Sequence, residues 1–473
     1  MDVQCFLYAP FNEVAMESKE TAQTSTSQYV VSQRFGFGPR VGDAKQEPAL
    51  NDQLKATPYI HKAITELPST TEMLAHLGDL NRRRKEATTP EEKKLFTKSS
   101  NAFFQENFQT IVHARNLQTL ATPLGFQERL IQFWSNHFAI SADNRRVRPI
   151  AAGIENEVVR ELWSIDFPSM LLAVCQHPTM LMYLDNHRSI GPNSKMGQKR
   201  NKGLNENLAR EILELHTLGV DGGYSQNDVI ELAQGLTGWT VSFKTDRPGY
   251  QFVDAMHEPG AINVLGKVYE EEGEEQAISC LRDLANHENT AKHLCSKLVQ
   301  HFYGSGHPSL VDELTKVWLE NEGMLIPVYI TLINSTLKNS SQQLRFRTPQ
   351  EWYFAVLRSA DFEPNARQMQ QMLRQLGQPP FMPGSPAGWS DKDSDYNSSS
   401  ALTQRWQVAN QIAKLVVRQL ERSKQNVDDK LIQMTQRLYG SEVDEHVLTA
   451  MDKAQDPTSK LVVLWMSPQF QYR

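Results

Sequence analysis

The stretch at residues 204–219 reads LNENLAREILELHTLG, and its pattern indicates how the rest of the chain folds. Its apolar side chains recur at the spacing of one face of an α-helix. Gly219 follows the last of them and supplies a C-terminal stop. The stretch therefore predicts an amphipathic helix over residues 204–218. The apolar positions that carry this prediction are Leu204, Leu208, Ile212 and Leu215.

Helical periodicity returns along most of the chain, so we predict a mainly α fold, a multi-helix globular array with one small β-hairpin insertion. An extended pattern interrupted by a Pro-Gly pair places this hairpin and its loop at residues 240–267. A Pro/Gly/Ser-rich segment at residues 378–400 predicts a surface-crossing loop before the C-terminal helices. Residues 1–33 are expected to form a flexible leader, and residues 34–473 a single large helical domain.

Composition and charge exclude several classes of protein. Of the 473 residues, 40% are hydrophobic, which is typical of a globular protein with a sizeable core. The formal net charge of -6 lacks the basic field of non-specific nucleic-acid binders, so nucleic acid is not an expected partner. No apolar run is long enough to predict a transmembrane segment. The first residues lack the basic region of a secretory signal, which favours a cytoplasmic location.

Several blocks of sequence carry a family resemblance. They are FWSNHF at 133–138, MYLDN at 182–186, NENLARE at 205–211, ELHTLG at 214–219, LTGW at 236–239, FRTP at 346–349, GQPPF at 377–381 and SPQF at 467–470. In these blocks, from about Arg34 to the end, the sequence resembles the domain-of-unknown-function 1800 family of bacterial proteins.

The resemblance implies little about activity, because none is established for the family in general. Its members often look exported, which makes a periplasmic or exported location the alternative. Their genes are frequently neighbours of the domain-of-unknown-function 1501 family, which resembles sulfatases and alkaline phosphatases. The resemblance therefore implies a sulfatase-like protein as a candidate partner.

Two carboxylates lie opposite the leucines of the predicted helix. Glu211 and Glu214 share one stripe with Asn207. Such a pair could bind a divalent metal ion, or one carboxyl could take a raised pKa so that the two work as acid and base. The alternative is a solvent-exposed charge ladder formed by Glu206, Arg210 and Glu214.

Two asparagines favour a polar site over an ordinary exposed helix face. Asn205 and Asn207 fall inside the predicted helix, where asparagine costs about 0.5 kcal/mol relative to alanine. An ordinary exposed face has no need of such residues. We therefore include both among the candidate binding residues. His216, off the stripe, is interpreted as a hydrogen-bonded packing histidine.

His137 lies beside Asn136 in a helix predicted at residues 126–138. A buried imidazole must find partners, so His137 is either a core histidine satisfied by a neighbouring helix or a ligand or general base. If this pair faces Glu211 and Glu214, the helices would form a carboxylate–histidine site. Glu211, Glu214 and His137 are then the candidate metal ligands.

For the other candidate binding residues, a purely structural role explains the residue as well as ligand binding does, or better. Asp185 and Asn186 end an apolar helix, where they could cap a turn or bind a ligand. His257 lies in a loop after the β region and could approach the same pocket. Trp239 and Trp389 could stack on a sugar or serve as buried anchors.

Three functions are compatible with these residues. The first is a hydrolytic or metal-assisted enzyme in which Glu211 and Glu214 are acid and base or ligands, with His137 and Arg210 as further catalytic candidates. The second is a non-catalytic adaptor or scaffold that binds the sulfatase-like protein. The third is a carbohydrate-binding module that uses the tryptophans.

Overall fold

The structure, a computed structural model, describes residues 33–40, 48–200, 203–338, 345–439 and 443–473. Helices dominate these residues, and their β structure is confined to two small two-stranded sheets. The predicted mainly α fold is therefore confirmed. In the described ranges, no helix has the length and apolar character needed to cross a bilayer. Apart from Gln33, the predicted leader at 1–33 lies outside the described residues.

Among the described residues, two helices, Ile154–Val159 and Ile212–His216, are π-helical. The α-helices are α1 Leu50–Lys55, α2 Lys62–Thr65, α3 Thr70–Glu86, α4 Pro90–Ala121, α5 Gly125–His137, α6 Arg160–Leu162, α7 Phe167–Gln176, α8 Pro178–Tyr183, α9 Gly197–Arg200, α10 Asn207–Glu211, α11 Gln226–Gly235, α12 Glu274–Ala285, α13 Glu288–Tyr303, α14 Pro308–Glu320, α15 Leu325–Lys338, α16 Pro349–Ala360, α17 Ala366–Gln375, α18 Ser399–Arg422, α19 Val427–Tyr439, α20 Glu445–Lys453, α21 Pro457–Met466 and α22 Pro468–Gln471.

Two large apolar clusters form the interior. The first runs from Phe35 to Ile333 and includes the fully buried Trp134 and Leu213. The second is built around α16, whose residues are all buried. A helix that is apolar around most of its circumference is stable only when other elements surround it, and α16 accordingly lies at the centre of the second cluster.

The β region differs from the prediction in one respect. Strand β1, Trp239–Lys244, pairs antiparallel with β2, Arg247–Phe252, as expected for the insertion at 240–267. A second hairpin follows, formed by β3, Ile262–Val264, and β4, Lys267–Tyr269. Its turn residues Leu265 and Gly266 have φ of 52° and 78°. Two consecutive positive φ angles are typical of the tight turn that joins such strands, so the single predicted hairpin is corrected to two.

The helix predicted at 204–218 begins later and changes type. Its α-helical part, α10, begins at Asn207, and from Ile212 it continues as a π-helix to His216. The Asn205 side-chain Oδ1 accepts a hydrogen bond from the Asn207 backbone N–H at 2.9 Å. Asn205 and Asn207 therefore stand at the helix start, where asparagine is favoured, and not in its interior as the sequence analysis assumed.

A buried ion network joins the two apolar clusters. Glu351, in the first turn of α16, caps that helix by accepting from the Thr348 backbone N–H at 2.9 Å. The same carboxylate pairs with Arg129 of α5 at 2.5 Å and with Arg473 at 2.9 Å. All three ionic side chains are less than 9% exposed. Although burial opposes ionisation, the two guanidinium groups hold the pKa of Glu351 well below its usual range.

We expect Glu351→Gln to destabilise the protein strongly. The amide keeps the helix cap but leaves Arg129 and Arg473 without their buried counter-charge, and breaking a buried pair in this way costs about 3–5 kcal/mol. Urea unfolding followed by circular dichroism measures the loss. Glu363 is exposed, so Glu363→Gln is the control and should change the free energy of unfolding by less than about 0.5 kcal/mol. A similar small change in both variants would contradict the structural role given to this network.

Candidate functional site

The predicted carboxylate pair lies where the α-helix becomes a π-helix. Glu211 is the last residue of α10, and Glu214 lies in the following π-helical turn. Both are half-buried. Burial, and then the charge of Glu214, raises the pKa of Glu211, whereas Arg210 acts in the opposite direction. Glu211 therefore keeps its proton to a higher pH than an exposed glutamate.

Two tyrosines flank this pair. The Tyr224 hydroxyl donates to Glu214 Oε2 at 3.4 Å. Tyr183 lies near Glu211, since burial and then the charge of Glu211 raise the pKa of its phenol. Both phenols are half-buried and stay protonated, so the carboxylates are accompanied by two hydroxyl donors. Sequence reasoning did not assign either tyrosine a role, although Tyr183 lies within the MYLDN block at 182–186.

Arg210 does not bridge the carboxylate pair. Its guanidinium donates to Glu206 and to the Gln226 side-chain oxygen, both at 3.0 Å. Of the predicted charge ladder, the pair between Glu206 and Arg210 is formed, whereas Glu214 accepts a hydrogen bond from Tyr224 instead. The role of Arg210 at the pair is limited to the long-range effect of its charge on Glu211.

His137 lies at the carboxyl end of the π-helix, where its two ring nitrogens bond groups other than Glu211 and Glu214. The last carbonyls of a helix have no partner within it and need outside donors. His137 Nε2 lies 3.1 Å from the His216 carbonyl oxygen, and Lys297 Nζ lies 3.0 Å from His137 Nδ1. Burial first, and Lys297 second, hold the pKa of His137 well below its usual range. The neutral ring therefore donates from Nε2 and accepts at Nδ1.

A second histidine bonds the backbone carbonyl of the residue that precedes His216 in the π-helix. His293 Nε2 donates to the Leu215 carbonyl oxygen at 3.3 Å. Gly219 has a φ of 87°, and a Cβ there would lie 2.9 Å from His293 Nδ1, so only glycine fits beside this ring. The π-helix is thus held by donors from α5 and α13 and by a close backbone approach.

These contacts do not bring the three predicted metal ligands together. Both ring nitrogens of His137 are already engaged, so the predicted set of Glu211, Glu214 and His137 is not formed. Across the part of the chain that the structure describes, no group of three or more His, Cys, Asp and Glu side chains is arranged to hold a metal ion. His137 is a positioning residue for the helix that carries the carboxylates.

Four other predicted binding residues lie apart from the carboxylate pair. Asp185, in a left-handed conformation, forms an exposed ion pair with Arg146 at 3.2 Å. Asn186 is buried and donates to the carbonyls of Leu236 and Trp239. The Trp239 ring is fully buried, so it serves as an anchor and not as a stacking surface. His257 Nδ1 donates to the Thr237 carbonyl at 2.9 Å. The contacts of Asn186 and His257 secure the loop at 236–239.

Asn136 fixes the segment predicted to cross the surface. Its side-chain oxygen accepts from the Trp389 backbone N–H at 2.7 Å, and its amide donates to the Trp389 carbonyl at 2.8 Å. A Cβ on Gly388 would lie 2.3 Å from the Asn136 backbone oxygen, so the approach requires glycine. Trp389 itself is half-buried. Asn136 is therefore a clamp for residues 378–391, which we call the roof segment.

The described geometry defines a class of site: a half-buried pair of carboxylates on a π-helical turn in a mainly helical scaffold. The model of the family described as "Protein of unknown function (DUF1800)" matches residues 30–472, and the chain belongs to that family. This confirms the resemblance drawn from the sequence blocks. No curated protein and no solved structure matches the chain.

Because buried histidines stay neutral in the folded chain, we expect the free energy of unfolding to fall steeply as the pH is lowered. Burial, then the nearby Lys297 and His293, lowers the pKa of His216 to about 3, against about 6.5 in an unfolded chain. Between these values the unfolded chain binds a proton that the folded chain excludes, so stability falls as the pH is lowered from 6.5 toward 3. Each such histidine contributes a slope of about 1.4 kcal/mol per pH unit.

His216→Gln should reduce the slope of the unfolding free energy against pH by the contribution of one histidine. Urea midpoints measured at several pH values between 4 and 6.5 give the dependence of the unfolding free energy on pH. The exposed His446→Gln is the matched control and should keep the wild-type slope. An unchanged slope in His216→Gln would show that this imidazole titrates alike in the folded and unfolded chains.

Proposed function

We propose that the chain is a hydrolase that cleaves a C–O bond by acid–base catalysis, with Glu211 as the acid and Glu214 as the base. The observation that supports this most is the raised pKa of Glu211 beside a second half-buried carboxylate. Two neighbouring carboxyl groups in different environments divide into a proton donor and a proton acceptor.

In the proposed reaction, protonated Glu211 gives its proton to the leaving oxygen as the C–O bond breaks. Glu214 takes a proton from the water whose oxygen bonds to the carbon. One water is consumed and two O–H groups are released, after which solvent returns the proton from Glu214 to Glu211. In this proposal the Tyr224 hydroxyl continues to donate to Glu214, and the Tyr183 hydroxyl donates a hydrogen bond to a substrate oxygen.

The π-helical turn supports this role. A π-turn inside an α-helix is rare and is found frequently at functional sites, because it is less stable than continuous α-helix. Here the turn from Ile212 to His216 is held in place by His137 and His293. Such outside support is what a site needs if its two carboxylates are to keep a fixed separation.

Activity toward p-nitrophenyl esters and p-nitrophenyl glycosides tests the proposal. Glu211→Gln and Glu214→Gln should each lower kcat by about 10²–10⁴-fold, the usual contribution of a general acid or base. Glu206→Gln, one turn earlier and paired with Arg210, is the matched control and should keep most of the wild-type activity. Addition of EDTA should leave the wild-type rate unchanged.

The pH profile gives an independent test of the acid. Because Glu211 must be protonated, kcat should fall as the pH rises through its raised pKa. Replacement by glutamine should remove this basic limb along with most of the rate. Full activity in both glutamine variants, or an activity that EDTA abolishes, would overturn the metal-independent acid–base proposal.

The adaptor hypothesis stays a prediction from the family resemblance. Its test is co-purification of this chain with the sulfatase-like protein at micromolar concentration. Association without hydrolytic activity would favour the adaptor over the enzyme.

A further inference from the structure

A cavity of about 90 Å³ with both apolar and polar groups in its wall lies beneath the roof segment, on a different set of side chains from Glu211 and Glu214. Its floor comes from α4 and α5, and the roof segment covers it. A water molecule needs about 10–15 Å³ measured in this way, so the cavity has room for a small organic molecule or several waters. The residues on which the argument depends are Arg129, Gln132, Ser135, Gln378, Trp389 and Asp391.

The charges around this cavity are already compensated. Arg115 pairs with Glu155 at 2.8 Å, and Arg129 with Glu351 at 2.5 Å. His301 Nδ1 lies 2.7 Å from Asp391 Oδ1. Burial lowers the pKa of His301 to about 4, so its neutral ring donates to Asp391, whose charge is offset by the neighbouring Arg345 and Lys297. A ligand with a net charge therefore finds no unpaired counter-charge here.

Several hydrogen-bonding groups in the cavity wall, in contrast, have no partner in the described ranges. Among the described residues, three donors on the wall have no partner: the Ser135 hydroxyl, Gln378 Nε2 and the buried Nε of Arg129. Two acceptors are also unused, Gln132 Oε1 and Asp391 Oδ2. A hydroxyl group both donates and accepts, so a molecule with several hydroxyls can satisfy donors and acceptors together.

Trp389 adds an aromatic surface to these polar groups. Its ring is half-buried on the cavity wall, while the Asn136 clamp holds its backbone. An indole face is suited to the apolar face of a sugar ring, and its N–H offers a further donor. We propose that the cavity binds one unit of a neutral, hydroxyl-rich ligand, a monosaccharide or the end of a sugar chain.

The proposal does not rest on the hydrolase activity, since it uses none of the groups assigned to that reaction. Loss of binding in the cavity and loss of hydrolysis at the carboxylate pair are measured separately. The Glu211→Gln variant should therefore bind sugar as the wild type does.

Binding is tested by calorimetry on the full chain with D-glucose, D-galactose, N-acetyl-D-glucosamine, acetate and phosphate, each alone at millimolar concentration. Ser135→Phe fills the cavity, and Ser135→Ala, its matched control, removes only the hydroxyl. We expect saturable binding of at least one of the sugars by the wild type. Ser135→Phe should weaken it by about tenfold or more and Ser135→Ala by less, a tenfold change being about 1.4 kcal/mol.

Trp389→Leu is the second variant, because the clamp uses the backbone of residue 389 and survives the change of side chain. It should keep the wild-type circular dichroism spectrum and weaken sugar binding about tenfold. Three results would overturn the proposal: no binding of any sugar by folded protein, binding of acetate or phosphate only, or sugar binding that Ser135→Phe and Trp389→Leu leave unchanged.

Discussion

The structure depends on one buried carboxylate. Glu351 begins the fully buried helix α16 and faces two guanidinium groups, from Arg129 and Arg473, that come from distant parts of the chain. Taking such charges out of water is expensive, and it is tolerated only when each charge has its partners. The two apolar clusters must therefore meet in one relative position, because any other leaves an ion without its counter-ion. This constraint places α5, and with it Asn136 and His137, against the second half of the molecule.

Because α5 is fixed in this way, the parts of both candidate sites that bond to α5 are fixed as well. On one side His137 bonds the end of the π-helix, and this fixes the turn that carries Glu211 and Glu214. On the other side Asn136 holds the roof segment over the cavity. Two consecutive residues of one helix thus position the two carboxylates and the segment that covers the cavity. In the proposed reaction and the proposed binding, neither residue needs to touch the substrate or ligand for its replacement to have an effect.

Local pattern was enough to predict the helical class, the first hairpin and the stripe of two glutamates, because periodicity and turn chemistry depend on neighbours in sequence. It failed where a distant partner decides. It could not predict the contacts of His137, because Lys297 and the His216 carbonyl lie far along the chain. The cavity was missed for the same reason, since Arg129 and Glu351 are 222 positions apart.

The Asn136 clamp has a consequence for how the molecule can vary. A side-chain amide that bonds both the N–H and the C=O of Trp389 reproduces what a neighbouring β-strand would provide. The roof segment is thereby anchored at Trp389 without secondary structure of its own, and it has a second anchor where the Phe381 carbonyl accepts from the Ala142 backbone N–H at 2.8 Å. Under the proposed binding, exchanges between these two anchors would change which ligand the cavity accepts while the helices keep their packing, so selectivity would diverge here first.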